Sequence, residues 1–277
     1  MNGSNKSIEL KKILSTIESD GIFKISLSVG TLCDANCPYC GVNKFESSIA
    51  SGEELIYATK MFLSTFKPYF ERYYIRITGG EIGLAPNLGK FIEYVNKTPE
   101  VEYVQVFTKG DIFFNTNPNF LNNKFHVSDH MIHDVRNGNF IRYDKISPPL
   151  SIKELQDIIK QRKSHCKNYD CVMVATKNIT SDIKKQLESS GVYFFEQMAR
   201  VGIYKPTVTP SRNEYEKCFF SKKFYVYDVS QNIFMHCCEE KNPELGKIFD
   251  SPIDFFLNND SIPYELCRTC KRALLNN

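Results

Sequence analysis

From Phe23 the chain sets Phe23, Ile25, Leu27 and Val29 against Lys24, Ser26 and Ser28, so an extended segment here has one apolar and one polar face. The same alternation recurs at Ile75 and Ile77 against Arg76 and Thr78, and at Phe125 and Val127 against Lys124, His126 and Ser128. Strands are predicted at Ile22–Val29, Tyr73–Thr78, Glu102–Thr108, Lys124–Ser128, Cys171–Ala175 and Val192–Glu196. Helical spacing predicts a leading helix over Ile8–Glu18 and further helices at Gly52–Phe66, Asn87–Asn96, Ser151–Lys163 and Ser181–Ser189. Ser151 followed by Glu154 forms a capping box, and Gly191 stands where the helix before it should stop. Strands and helices in alternation are the sequence form of a parallel βα protein, and about six units fall short of the eight that close a full barrel. The expected fold class is therefore α/β, a partial (β/α)6 TIM-like barrel. Its apolar strand faces should pack on the outer helices and its polar faces should line the lumen. Beyond Val201 the rhythm stops, and Phe224–Tyr227, a turn at Asp228–Asn232 and Ile233–Cys237 predict a β-hairpin. Three regions result: an N-terminal helix over 1–20, a barrel over 21–200, and a small C-terminal domain over 201–277.

The formal charge of +3 is spread along 277 residues without a basic run, which argues against a nucleic-acid partner. The first twenty residues offer neither a signal-peptide core nor a spanning segment, so a soluble, cytoplasmic protein with no membrane partner is expected. Ten cysteines in such a chain are better read as reduced metal ligands than as a disulfide scaffold. Cys33, Cys37 and Cys40 form one group, Cys218, Cys237, Cys238, Cys267 and Cys270 a second, and Cys166 and Cys171 fall between them.

The first group follows the first strand in a loop that also carries Asp34, Asn36, Pro38 and Gly41. Three thiolates on a four-iron cubane leave one iron open for a cofactor to chelate, whereas a structural zinc site takes four ligands. The spacing Cys33-x3-Cys37-x2-Cys40, with Tyr39 before the last cysteine, resembles the signature of the radical S-adenosylmethionine (radical SAM) superfamily. Gly79-Gly80-Glu81 after the second strand is similar to that family's glycine-glycine-glutamate segment, although Ile82 stands where the family usually has proline. The resemblance implies that Cys33, Cys37 and Cys40 hold a [4Fe–4S] cluster and that Gly79, Gly80 and Glu81 meet the amino group of S-adenosylmethionine. It also places Tyr39 near the adenine, and Ser128 near the ribose or the methionine carboxylate.

The second group, Cys218-x18-Cys237-x29-Cys267-x2-Cys270, resembles the SPASM and twitch auxiliary-cluster modules. That implies a second [4Fe–4S] cluster, with Cys238 able to exchange for Cys237. Four thiolates satisfy structural zinc equally well. Cys166 and Cys171 read as small buried hydrophobes, with a hydrogen-donating thiol in the lumen as the alternative.

By this resemblance the protein is an enzyme, a radical SAM oxidoreductase. A flavodoxin or ferredoxin reduces the first cluster, and S-adenosylmethionine is cleaved to a 5′-deoxyadenosyl radical that takes hydrogen from substrate. The layout is similar to twitch-bearing aminocyclitol dehydrogenases. No long N-terminal extension of the kind many peptide-modifying relatives use is present, and the lumen-facing positions are polar. A small polar substrate such as a sugar or cyclitol, oxidised or epimerised, is thus expected ahead of a short precursor peptide. A non-catalytic iron–sulfur or zinc protein is the remaining alternative. For the substrate site, the titratable segment after the fourth strand offers His130, His133 and Arg136, with Asp134, Arg76, Lys177 and Arg200 as further candidates and Glu196 and Gln197 as the fallback.

Overall fold

The computed structural model describes residues 21–35, 47–116, 123–142, 147–174, 180–195 and 225–236. The expected leading helix lies outside them.

Strand β1 (Ile22–Ser28) leads to helix α1 (Gly52–Phe66), whose first turn is closed by a reciprocal cap. The Ser51 hydroxyl accepts from the Glu54 amide at 3.2 Å, and the Glu54 carboxylate accepts from the Ser51 amide at 2.7 Å. Leu55, Ala58, Phe62 and Phe66 recur at helical spacing on the buried face. Phe66 stacks on Phe23 of β1 with ring centroids 4.2 Å apart, and each such buried aromatic contributes about 1.5–3 kcal/mol. Strand β2 (Arg72–Thr78), helix α2 (Leu88–Lys97), strand β3 (Val101–Thr108) and the short helix α3 (Asp111–Thr116) continue the series. Strands β4 (Phe125–Arg136) and β5 (Asn139–Arg142) form a hairpin. Helix α4 (Ile152–His165) carries the capping box predicted at Ser151 and Glu154. Strand β6 (Asn168–Val174), helix α5 (Ser181–Ser189) and strand β7 (Val192–Phe195) follow, with α5 ending before Gly191 as expected. Strands β8 (Tyr225–Asp228) and β9 (Ile233–His236) are the predicted C-terminal hairpin.

The sheet order is β7-β6-β4-β3-β2-β1-β8-β9. The six βα strands lie parallel and in chain order, which is the winding of a barrel rather than of a doubly wound sheet. Among the described residues β7 and β9 do not pair, so the sheet is open. Strand β8 joins β1 in parallel, so the C-terminal hairpin extends the same sheet.

Two features depart from the sequence-based expectation. Helix α3 was not predicted, because its six residues complete fewer than two turns and show no period. The fourth strand was expected to end at Ser128 and give way to a loop, yet it runs on to Arg136. A register irregularity between Asp129 and Ile132 breaks its alternation, and Asn137-Gly138 turns it back into β5. Both turn residues have positive φ, 52° and 75°, as a tight hairpin turn demands. No described helix is long and apolar enough to cross a membrane.

Candidate active site

The parallel strands deliver their C-terminal ends to one edge, and the loop bearing Cys33 leaves β1 there. Both sides of this loop are pinned by backbone. The Thr31 and Leu32 amides donate to the Ser48 carbonyl at 2.8 and 2.9 Å, and on the other side the Gly80 and Glu81 amides donate to the Gly30 and Leu32 carbonyls at 2.8 and 2.9 Å. The second contact requires two glycines. Gly79 has φ +112°, and a Cβ on Gly80 would fall 2.0 Å from the Leu32 carbonyl oxygen. Gly79-Gly80 therefore has a structural task, which is to let the β2 loop lie directly against the cysteine loop.

Glu81 is buried with 2% exposure. It accepts from the Gly83 amide at 2.8 Å, the Thr108 hydroxyl at 2.5 Å and the Lys109 amide at 2.8 Å. Burial pushes its carboxyl above the usual carboxylate range, and the three donors pull it back. Three of the roughly four lone-pair directions of the carboxylate are taken by the chain itself, so Glu81 ties the β2 loop to the end of β3. Lys109, also buried, reaches across to pair with Asp34 beside Cys33. Glu81→Gln would set an amide NH2 against the Lys109 amide and leave a buried donor unsatisfied. The expected loss is about 1–3 kcal/mol, read as a lower urea midpoint.

The C-terminal hairpin abuts the same place. The Val229 amide donates to the Ser28 carbonyl at 3.0 Å, and the Ser230 hydroxyl donates to buried Asp228 at 2.7 Å and lies 3.0 Å from the Ser48 hydroxyl. Strand β9 then runs the other way, so that His236, the residue before Cys237, pairs with Tyr225 one position below the level of Ser26.

The polar strand faces meet in the lumen as expected. The Tyr74 hydroxyl donates to Gln105, and the Gln105 amide donates to the Ser128 hydroxyl at 3.2 Å. Above them Arg76 lies over the Phe107 ring at 4.4 Å, and the His130 ring lies 5.8 Å beyond Phe107. Tyr103, His126 and Asp170 form a second chain of hydrogen bonds across β3, β4 and β6.

The nominated site residues separate into three groups. Cys33, Gly79, Gly80 and Glu81 come together, and Ser128 faces the lumen beside Gln105. Tyr39, Cys37, Cys40, Cys218, Cys237, Cys238, Cys267 and Cys270 lie outside the described residues, as do Lys177, Glu196, Gln197 and Arg200. His130, His133 and Arg136 lie on an extended strand and not on a loop at the barrel mouth. Arg136 is exposed beside the hairpin turn, about 20 Å along the strand from His130, so the two do not share one small site. Cys166 and Cys171 are fully buried on the core side, next to Phe125 and Tyr169, which removes the lumenal-thiol alternative for both. None of Cys33, Cys166 and Cys171 forms a disulfide.

Several lumen residues were missed: Tyr74, Tyr103, Gln105, Lys109 and Asp170. A signal for them exists, since Tyr103, Gln105 and Phe107 alternate with Val104 and Val106, and a parallel partner brings them level with His126 and Ser128.

No family model matches the sequence. No curated protein matches it either. Solved structures do share its fold. Native anSMEcpe with bound AdoMet and the Kp18Cys peptide aligns at TM-score 0.59 and 15% identity, over 86% of this chain and 81% of that one. The same protein with AdoMet and the Cp18Cys peptide aligns at 0.55 and 17%, with the same coverage. SuiB of Streptococcus suis bound to S-adenosylmethionine aligns at 0.51 and 10%, over 94% of this chain and 75% of that one. The chain shares the fold of these structures. In this fold the cysteine loop after β1 and the Gly79-Gly80 contact after β2 stand side by side at the C-terminal strand edge, in agreement with the resemblance read from the two motifs.

Proposed function

We propose that this protein is a radical SAM enzyme that modifies a peptide. The observation that carries the reading is the fold shared, over most of both chains, with anSMEcpe holding AdoMet together with a peptide. This reverses the preference drawn from sequence, in which a small polar substrate stood first. The polar lumen of Tyr74, Gln105, Ser128 and His126 favours that second reading, a sugar or cyclitol.

The residues present fit the group they are assigned. Cys33 is a partly buried thiol on a loop whose backbone is fixed from both sides, and Cys37 and Cys40 follow at the spacing of a three-thiolate set. Cys33, Cys37 and Cys40 hold the first [4Fe–4S] cluster, and Cys218, Cys237 or Cys238, Cys267 and Cys270 a second. When bound, the first cluster and S-adenosylmethionine supply a radical that takes hydrogen from substrate. Gly79 and Gly80 keep the β2 loop against the cysteine loop so that their backbone stands beside the cofactor, Glu81 holds that backbone in place, and Tyr39 and Ser128 complete the cofactor's surroundings. A flavodoxin or ferredoxin is the reductant, and the setting is cytoplasmic.

The test is anaerobic reconstitution followed by incubation with S-adenosylmethionine, dithionite and either a peptide library or a polyol set. Iron and sulfide near four per cluster, 5′-deoxyadenosine and a mass change on peptide are expected. A mass change confined to polyols transfers the case to the second reading. Stoichiometric zinc with no 5′-deoxyadenosine sinks both.

A further inference from the structure

Lys109 is a buried cation at the C-terminal strand edge, where the cysteine loop and the Gly79-Gly80 loop lie against each other. Its side chain is 8% exposed and pairs with the Asp34 carboxylate, whose side chain is 36% exposed. Backbone fixes where Lys109 stands. Its amide donates to Glu81 Oε2 at 2.8 Å, and the chain turns directly after it at Gly110, whose φ is +89°. Asp34 follows Cys33 in the chain, so their Cα atoms stand about 3.8 Å apart. A carboxylate and a buried ammonium are thus placed one residue from a thiol assigned to the first cluster, where salt screens them less than it screens exposed charges. The two loops themselves are pinned by backbone hydrogen bonds in which neither charged group takes part. Removing either charge therefore leaves those ties in place.

We propose that Lys109 and Asp34 set, with opposite signs, how readily the cluster held by Cys33 accepts the electron that starts the reaction. The electron comes from a flavodoxin or ferredoxin, which is oxidised by one electron, and this step makes no bond and moves no proton. It adds one unit of negative charge beside Asp34. The Asp34 carboxylate opposes that gain, and the Lys109 ammonium cancels the opposition. Glu81, which accepts from the Lys109 amide, is the second acid of this corner, so loss of the cation leaves two carboxyl groups facing the cysteine loop without it. Lys109 and Asp34 act through the cluster, and they are positioning residues rather than catalytic ones.

This inference rests on the radical SAM reading for the group at Cys33, and its readout is a reduction potential rather than turnover. The full reconstituted chain is poised at a series of potentials, and the electron paramagnetic resonance signal followed is the one that Cys33→Ala removes, which separates it from the second cluster. Lys109→Met is expected to lower the ratio of reduced to oxidised cluster at the parental midpoint about tenfold, equivalent to about 59 mV for one electron. Asp34→Asn is expected to raise that ratio by a similar factor. Lys109→Arg, and Lys109→Met combined with Asp34→Asn, are expected to stay within about threefold of the parental ratio, because each keeps the summed charge. A merely structural role moves both single variants the same way. Shifts of one sign, or shifts under about threefold in both single variants, therefore overturn the proposal. Where Lys109→Met takes up no iron, Asp34→Asn decides alone, and a parental or lowered midpoint in it overturns the proposal. The underlying reading is tested apart, by adding S-adenosylmethionine to the parental chain. An unchanged signal and no 5′-deoxyadenosine remove the radical SAM reading, while the opposed shifts still decide the pair. A parental chain with no Cys33-dependent signal overturns both.

Discussion

Alanine at Gly80 is expected to abolish cleavage of S-adenosylmethionine as completely as alanine at Cys33, although Gly80 carries no ligand atom. Its Cβ would sit 2.0 Å from the oxygen, 2.7 Å from the carbon and 3.1 Å from the nitrogen of Leu32. All three atoms are backbone, so no side chain can swing aside, and the two loops must part to admit a methyl group. Parting them breaks the hydrogen bonds from the Gly80 amide to Gly30 and from the Glu81 amide to Leu32, which are worth about 0.5–1.5 kcal/mol each. Cys33 is the next residue after Leu32 and moves with it. A displacement of about 1 Å at a reacting group can cost 100-fold in rate. The check is iron content and 5′-deoxyadenosine after reconstitution, with circular dichroism to confirm the fold. Parental iron and parental cleavage in Gly80→Ala would show that the close approach of these loops is dispensable.

Much of the barrel was legible because its signal is local. Alternation in Phe23–Val29 and Tyr73–Thr78 marks strands, and Ser151 with Glu154 marks a helix start, whatever lies elsewhere in the chain. The cysteine loop and Gly79-Gly80-Glu81 were legible because three ligands and a close backbone contact each impose a fixed spacing. What escaped depends on partners distant in sequence. The row from Tyr103 to Asp170 exists only once β3, β4 and β6 take up their register. Glu81 read alone is a charged partner for an ammonium, and only the folded chain shows that Thr108 and Lys109 already occupy it. The β4–β5 hairpin was legible in principle, since Asn137-Gly138 is a strong turn signal. The dense charges of residues 129–136 drew that stretch toward a loop reading instead.

Those charges lead to the second large effect, a loss of stability in Asp129→Asn of about 3–5 kcal/mol. Asp129 is turned wholly inward, with 0% exposure. Its carboxylate pairs with Arg162 of α4 and accepts from the Tyr169 hydroxyl of β6 at 2.7 Å. Arg162 in turn pairs with Asp111 at the start of α3, and Asp111 pairs with Arg142 of β5. Five elements are joined by this network directly behind Ser128 and His130. An amide at position 129 keeps the shape and removes the charge, leaving the Arg162 guanidinium, whose side chain is 7% exposed, with Asp111 as its remaining anion among these partners. Arg162→Met strands the Asp129 carboxylate instead and should cost a similar amount. Asp129→Leu combined with Arg162→Met removes both charges, and it should recover most of the loss, since an apolar pair of similar volume is often neutral relative to a buried ion pair. Urea unfolding of the three variants and the parental chain measures these losses. Single-variant losses below about 1 kcal/mol would place the pair with ordinary surface bridges and make the β4 wall independent of it.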